Sequence, residues 1–514
     1  LPETVLNRFF NSSIQVIFLP LLNLQIAKTQ TIFNNQFLFV LSMKSTKKHY
    51  HLIGICGTAM ASLAGMLQAR GHKVTGSDQN VYPPMSTQLE QLGIEILNGY
   101  KAENADVGAH CTIVGNAVSR GNPELEEVLN RKLLYRSQAE VVKEEFIRGR
   151  RSLVVAGTHG KTTTTSIATW VSECGGLNPS FLVGGIVQNF GASFRVTDSS
   201  YFVIEGDEYD TAYFDKKPKF MHYLPEIAIV NNVEFDHADI YRDLWEIKYQ
   251  FSRLMNLVPG NGRLIVGIDS PVAREVLDEM KGKLFTQVET FGMSGEAKWQ
   301  ARYIDFSGET TRFTVFKEGH SWGEFETHLI GEFNVRNCLA VIIAADAWGI
   351  SKEKIQEAFR TFQSVKRRVE VRGVVKGVTV IDDFAHHPTA VEETLKALKT
   401  KYKENRLIAV FEPRSWSSRL AVFQEPYAKA FVYADYVIVA GVYNTSKASE
   451  LGKVLDVDEL VKGIELTGKT ALCLPDADAI VEHLKPVMQD GDVVAIMSNG
   501  GFGGIHEKIL NVLK

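Results

Sequence analysis

The segment Gly157-Thr158-His159-Gly160-Lys161-Thr162-Thr163 carries the most specific chemistry in the chain. Its glycines let backbone N–H groups turn toward phosphate oxygens, and a helix N-terminus behind them adds a favourable dipole. Lys161 can reach terminal phosphates, and Thr162 can place its hydroxyl on Mg2+. Leu153-Val154-Val155 reads as a strand before the loop and Ser166–Cys174 as a helix after it, the setting that such a loop needs. The standard spacing puts a glycine where Val155 stands, so the loop is a shortened form. A glycine turn that only caps a helix is the weaker alternative in that setting.

Other segments could act with it. Gly54-Ile55-Cys56-Gly57-Thr58-Ala59-Met60 also follows a strand-like run, and Asp78 stands at the end of the next one, as the acidic residue of dinucleotide folds does. The full pattern needs glycine at Cys56 and Ala59, so a structural turn and a diphosphate-binding turn both stay open. Glu205-Gly206-Asp207-Glu208-Tyr209-Asp210 and Asn232-Val233-Glu234-Phe235-Asp236-His237 end predicted strands, where open α/β sheets gather ligands. Beside a phosphate loop they can hold Mg2+ between ATP and an acceptor, although either alone is equally a solvated acidic loop. Asp382-Asp383-Phe384-Ala385-His386-His387-Pro388 follows another predicted strand. Adjacent side chains there seldom point the same way, which favours Asp383 as a nucleotide or substrate contact over a metal pair from His386 and His387. Cys56 has no general base near it in sequence and reads most simply as a small turn residue.

These motifs need α/β scaffolds to hold them. Strands are predicted at Tyr50–Ile55, His72–Ser77, Ser152–Ala156, Tyr201–Glu205 and Ile227–Asn231, with a helix at Thr58–Arg70. A charged helix-like segment, Ser137–Arg151, separates the first unit from the second. Alternation over Ala297–His328 predicts an antiparallel patch, and helices follow at Asn334–Trp348 and Lys352–Phe362. The last unit opens at Arg367-Arg368 with strands at Val378–Ile381, Leu407–Phe411, Tyr436–Val439 and Asp492–Met497. The 514 residues match about three domains at roughly 150 residues each. The predicted division is 43–150, 151–366 and 367–514, with 1–42 a non-native or upstream extension. That stretch holds a broken apolar run, Ile14–Ala27, too short to span a bilayer and lacking signal-peptide features. A net charge of −4 argues against nucleic-acid binding by bulk charge. Five scattered cysteines make neither a disulfide framework nor a cysteine zinc site, and they suit a reducing compartment.

From about His49 to Lys514 the sequence resembles the Mur ligases, ATP-dependent amide-bond enzymes of peptidoglycan metabolism. The shortened loop is specific to that family. The resemblance implies three α/β domains: a Rossmann-like first domain for UDP-N-acetylmuramate, a central phosphate-loop ATPase domain with a parallel sheet plus a small antiparallel sheet, and a Rossmann-like third domain for the incoming peptide. It implies ATP contacts from Gly157, Thr158, His159, Gly160, Lys161, Thr162, Thr163, Asn334, Asn337, Arg368 and Asp383. Mg2+ falls to Thr162, Glu205 and His237, with Lys161, Glu205 and His237 catalytic. The UDP-sugar falls to Gly54, Cys56, Gly57, Thr58, Asp78, Asn116 and Asn232. The family often has His where Phe333 stands. Several members carry a carbamylated lysine where this chain has Phe251 and Ser252, with Lys248 and Arg253 off register, so no such lysine is expected.

Three segments resemble the murein-recycling branch: Cys56–Ala61, Phe411-Glu412-Pro413-Arg414-Ser415 and Ser498–His506, with Glu208–Asp215 adding to them. That branch implies a tripeptide acceptor, L-alanyl-γ-D-glutamyl-meso-diaminopimelate, with L-alanine as the alternative. Arg414 and Arg419 are candidates to hold its carboxylates, against the alternative of exposed surface arginines. The resemblance further implies a cytoplasmic enzyme, a monomer or weak homodimer, with no membrane or nucleic-acid partner, and a third domain that swings to complete the ATP site. Two readings of other classes are a dehydrogenase using the first glycine turn and a nucleotide-gated regulatory ATPase.

Overall fold

The structure, a computed structural model, describes residues 47–81, 85–445, 449 and 452–514. The extension expected over 1–42 lies outside them. Among the described residues three main sheets carry the fold. The first is all parallel, in the order Glu95–Asn98, Lys73–Asp78, His49–Ile53, Cys111–Val114, Tyr135–Ser137. The central strand runs into the glycine turn at Gly54, so that turn sits at the carboxyl edge of the sheet.

The central sheet has ten strands. Arg151–Ala156 lies between Ile227–Val230 and Tyr201–Gly206, parallel to both. Ile227-Ala228-Ile229-Val230 is buried throughout, the mark of a strand covered on both faces. This arrangement delivers three motifs to one edge: the phosphate loop, the acidic segment from Glu205 and the segment from Asn231. Behind the loop, the helix Lys161–Cys174 shares one apolar core with Glu332–Ala347.

The third sheet runs Glu370–Val375, Val378–Asp383, Val493–Met497, Leu407–Phe411, Tyr436–Ala440, Thr470–Leu474. Among the described residues only its first pair is antiparallel.

Four features differ from the sequence expectation. The helix behind the loop starts at Lys161 rather than Ser166. Thr162–Ser166 reads as polar and poorly helical. The hydroxyls of Thr165, Ser166 and Ser172 each donate to the carbonyl four residues back at 2.7 Å. Thr169 does the same at 2.8 Å. These bonds allow the four side chains to be buried. The stretch 137–151 is a short helix, Gln138–Val142, running into a π-helical turn, Lys143–Ile147. The antiparallel strands Trp299–Asp305, Thr311–Lys317 and His320–Thr327 extend the parallel sheet rather than forming their own; a separate two-stranded sheet is Asp210–Ala212 with Asp215–Pro218. The hairpin Ser180–Val187 with Ala192–Arg195 carried no clear sequence signal. It joins the first two domains: Ser193 meets Ser62 at 3.1 Å, and Gly65 leaves room for the Phe194 ring, which an added Cβ would approach to 2.4 Å.

Candidate active site

The loop backbone is fixed from the neighbouring strand end. Asn232 accepts the His159 N–H at 2.8 Å and donates to its carbonyl at 3.2 Å. Gly160 has a positive φ, which glycine adopts freely, and a Cβ there would lie 2.7 Å from the Asn337 side chain. Lys161 Nζ donates to the carbonyls of Gly157 and Thr158 at 2.8 and 3.1 Å and lies 2.8 Å from the Glu208 carboxylate. Burial opposes the Lys161 charge, but Glu208, Asp207 and Glu205 outweigh it and raise its pKa. A charged lysine at the first position of the helix that follows the loop suits polyphosphate.

The acidic segment serves two clusters. In one, Thr162 donates to Glu205 at 3.0 Å, Glu205 accepts the Gly184 N–H at 2.8 Å, and Arg368 donates to Thr162 at 3.2 Å. In the other, Glu208 joins Lys161 to His237, whose Nε2 lies 2.8 Å from the carboxylate. The family resemblance implies His237 with Glu205 and Thr162 around Mg2+. Here its ring pairs with Glu208 and packs at a tilt against Tyr209, centroids 4.3 Å apart. Burial favours a neutral ring, yet Asp236 and Glu208 raise the His237 pKa to about 9, so the imidazole holds a proton. To ligate a metal it must lose that proton. Its positive backbone φ is unusual for a non-glycine residue, a strain of the kind found at functional sites. Thr162 and Glu205 supply the hard oxygens that Mg2+ takes. Burial raises the Glu205 pKa against the pull of Lys161.

A cavity of about 380 Å³ lies between the central and third domains. Of the expected ATP contacts, His159, Gly160, Thr163, Asn334, Asn337, Arg368 and Asp383 line it. Asn337 donates to Asn334 at 3.1 Å, and Asn334 donates to the Ile330 carbonyl at 2.9 Å, so both amides are oriented. Asp383 accepts the N–H groups of Val369 and Ala385 at 2.8 and 2.7 Å, which holds the segment bearing Arg368. Ser364, Arg367 and Val369 all have positive φ, so the link between the domains is strained on both sides of Arg368. Asn232, expected at the UDP-sugar, lines this cavity instead. Sequence reasoning missed Glu208, Asn231, Arg336 and Glu393 as site residues. Glu208 stood in a segment already singled out; Arg336 and its ion-pair partner Glu393 meet across the domain seam, where local sequence carries no sign of the contact.

His386 and His387 diverge, as adjacent residues do. His386 Nδ1 meets the Phe384 carbonyl at 2.9 Å, whereas His387 Nε2 meets the Phe235 carbonyl of the central domain at 3.1 Å. Phe251 is fully buried core, and Lys248 pairs with Glu275 and Glu279 at 2.6 and 2.9 Å on the surface.

In the first domain Asp78 turns into the glycine turn. It accepts the Cys56 N–H at 2.9 Å and the Tyr100 hydroxyl at 3.4 Å. The helix Thr58–Ala69 opens behind Gly57 with no side-chain cap and no acidic residue in its first turn, leaving its N–H groups to an anion. Burial pushes the Cys56 thiol up to about 11, which fits a turn residue and not a nucleophile. Asn116 is exposed just beyond Cys111–Val114, a strand parallel to His49–Ile53.

The two peptide candidates separate. Arg414 lies over Tyr443 at 4.1 Å, bonds Glu412 at 3.2 Å and packs flush on Gly500. Arg419 is only 4% exposed and donates to the carbonyls of Ser415, Tyr443 and Asn444 at 3.2, 3.1 and 3.4 Å. Its guanidinium binds its own loops, so it is neither the exposed surface arginine of the alternative nor a free carboxylate clamp.

Comparison with known proteins agrees along the chain. Residues 49–149 match the Mur ligase family, catalytic domain; 155–345 match the Mur ligase middle domain; 367–500 match the Mur ligase, glutamate ligase domain. The UDP-N-acetylmuramate–L-alanyl-γ-D-glutamyl-meso-2,6-diaminoheptandioate ligase of Haemophilus influenzae is 42% identical over 469 residues, covering 91% of this chain and 99% of that protein. The UDP-N-acetylmuramate–L-alanine ligase of a Geobacter species is 34% identical, covering 90% of this chain and 97% of that one. The crystal structure of a murein peptide ligase from Psychrobacter arcticus is 35% identical, with a TM-score of 0.69 over 91% of this chain and 98% of that one.

Proposed function

The chain belongs to the Mur ligase family of ATP-dependent, C–N bond-forming ligases, and from that premise we propose that it joins the lactyl carboxylate of UDP-N-acetylmuramate to the amine of L-alanyl-γ-D-glutamyl-meso-diaminopimelate. The observation that supports this acceptor over L-alanine is the identity gap, 42% against 34% over nearly the same span. Residues 43–150 hold the sugar nucleotide, 151–366 hold ATP, and 367–514 hold the peptide. The enzyme acts in peptidoglycan recycling, in the cytoplasm, as a monomer or weak homodimer.

The lactyl carboxylate attacks the γ-phosphorus of ATP, giving an acyl phosphate and ADP. The peptide amine then attacks the acyl carbon, loses a proton and expels phosphate. Both partners in the first step are anions, so the site has to cancel their repulsion. Lys161 does this by exchanging Glu208 for phosphate oxygens. Thr162 and Glu205 are the residues that would hold Mg2+, which would supply Lewis-acid neutralisation of phosphate charge. Arg368 reaches the same phosphates from the third domain, while Asn334 and Asn337 face the base. Arg414, braced by Tyr443 and Glu412, takes a peptide carboxylate. The test is ADP release with each substrate omitted in turn. The reading requires UDP-N-acetylmuramate and the peptide together; equal release with ATP alone would leave the chain a regulatory ATPase.

A further inference from the structure

One cluster stands at the margin of the cavity, which His159 and Glu234 line, and the chemistry above assigns it no step. His159 of the phosphate loop, Glu234 of the central domain and His387 at the start of the helix Pro388–Lys401 bring one ligand atom each within 4.8 Å of one another. His159 Nε2 lies 3.4 Å from Glu234 Oε2, and His387 Nδ1 lies 3.7 Å from the same oxygen. Two ligands on a tetrahedral zinc ion, each about 2.0–2.1 Å from the metal, stand roughly 3.4 Å apart. Two of the three separations therefore already suit a zinc ion, and the third, at most 4.8 Å, needs a side-chain adjustment of up to about 1.4 Å.

The surroundings orient these atoms as metal sites do. His387 Nε2 faces the Phe235 carbonyl at 3.1 Å, so that nitrogen carries the hydrogen and Nδ1 presents its lone pair to the cluster. Thr389 donates its hydroxyl to Glu234 Oε2 at 2.7 Å and fixes the carboxylate. Among the described residues the competitor for the Nδ1 lone pair is a long bond from the Thr389 N–H, 3.3 Å. Two imidazoles and one carboxylate form a donor set for zinc, softer than the oxygens that Mg2+ prefers.

The geometry points to a second metal site, for Zn2+ or a similar borderline ion, built from His159, Glu234 and His387 and separate from the Mg2+ position at Thr162 and Glu205. Its ligands come from the phosphate loop, the central sheet edge and the third domain. An ion held there ties those parts together and brakes a cycle that requires the third domain to move.

The test is titration of the nucleotide-free, full-length protein with Co2+ and then Zn2+, in excess Mg2+ to fill hard oxygen sites. One equivalent of Co2+ with the intense visible bands of tetrahedral coordination, displaced by Zn2+, is expected. His387→Asn keeps a residue able to cap the helix but removes the imidazole, and Glu234→Gln removes the charge. Each should weaken binding at least as much as loss of an outer partner does, about 10–100-fold. Thr389→Val, which alters only the supporting hydroxyl and leaves every ligand in place, should weaken it by about tenfold. Circular dichroism melts identify any variant that fails to fold, and Thr389→Val then carries the test. Absence of a stoichiometric site, an octahedral cobalt spectrum, or binding unchanged in the folded variants would overturn the assignment.

Discussion

Glu208 is the residue on which the resting arrangement turns, and Glu208→Gln tests it. The carboxylate is 2% exposed and faces two cations, Lys161 and the protonated His237, each at 2.8 Å. Removing one partner of a buried ion pair costs about 3–5 kcal/mol, because the remaining charge loses its compensation. Lys161 keeps its two carbonyl acceptors, which places the loss near the lower end, about 3 kcal/mol. For a domain the size of the central one this is roughly 6–12 °C in Tm. ATP should respond in the opposite sense. In the wild type Lys161 must break a charged hydrogen bond, worth about 1.5–3 kcal/mol, before it can take phosphate. The variant is spared that loss and has lost a negative charge beside the phosphates, so Mg2+-free ATP should bind about tenfold more tightly or better. Differential scanning calorimetry without nucleotide and isothermal titration with ATP and a chelator read the two quantities. An unchanged Tm together with unchanged or weaker ATP binding would refute the claim that Glu208 holds Lys161 in reserve.

Other predictions address neighbouring groups. Lys161→Ala should abolish ADP release, and near-normal turnover would remove the phosphate-loop assignment. His237 has a folded pKa of about 9 against 6.5 for the free side chain, so its stabilising contribution is complete below about pH 6.5 and is lost as pH rises through 9. The Tm of the nucleotide-free protein should fall over that window, and more steeply than in His237→Gln; parallel profiles would contradict the protonated ring. Arg414→Ala should raise KM for the peptide by about 10–100-fold, the loss of one charged hydrogen-bonding anchor, with little change for ATP. Arg419→Ala should instead lower Tm, since three carbonyls lose a buried donor; a selective peptide KM effect at normal stability would reverse the two roles.

The parts legible in the sequence were those that local order specifies. Ile227–Val230 is apolar throughout because both its faces are covered, and Gly157–Thr163 is recognisable because phosphate binding demands glycine and lysine at fixed offsets. Thr162–Ser166 reads as poorly helical because it is polar, whereas back-bonding by the Thr165 and Ser166 hydroxyls lets the helix start at Lys161 with those side chains buried. Tertiary choices were not legible. His237 could pair with Glu205 or Glu208, which share one short segment, and only the packed loop selects Glu208. Arg414 and Arg419 look equivalent in sequence, yet one lies on Tyr443 and Gly500 while the other is buried in backbone carbonyls. His387 reaches Phe235 across 152 residues, a distance at which spacing carries no information.

The acceptor is the central claim, and direct competition tests it. Enzyme given ATP, Mg2+ and UDP-N-acetylmuramate with equal concentrations of L-alanine and L-alanyl-γ-D-glutamyl-meso-diaminopimelate should yield, by mass spectrometry, the UDP-N-acetylmuramoyl tripeptide as the dominant product. Predominant UDP-N-acetylmuramoyl-L-alanine would contradict the account.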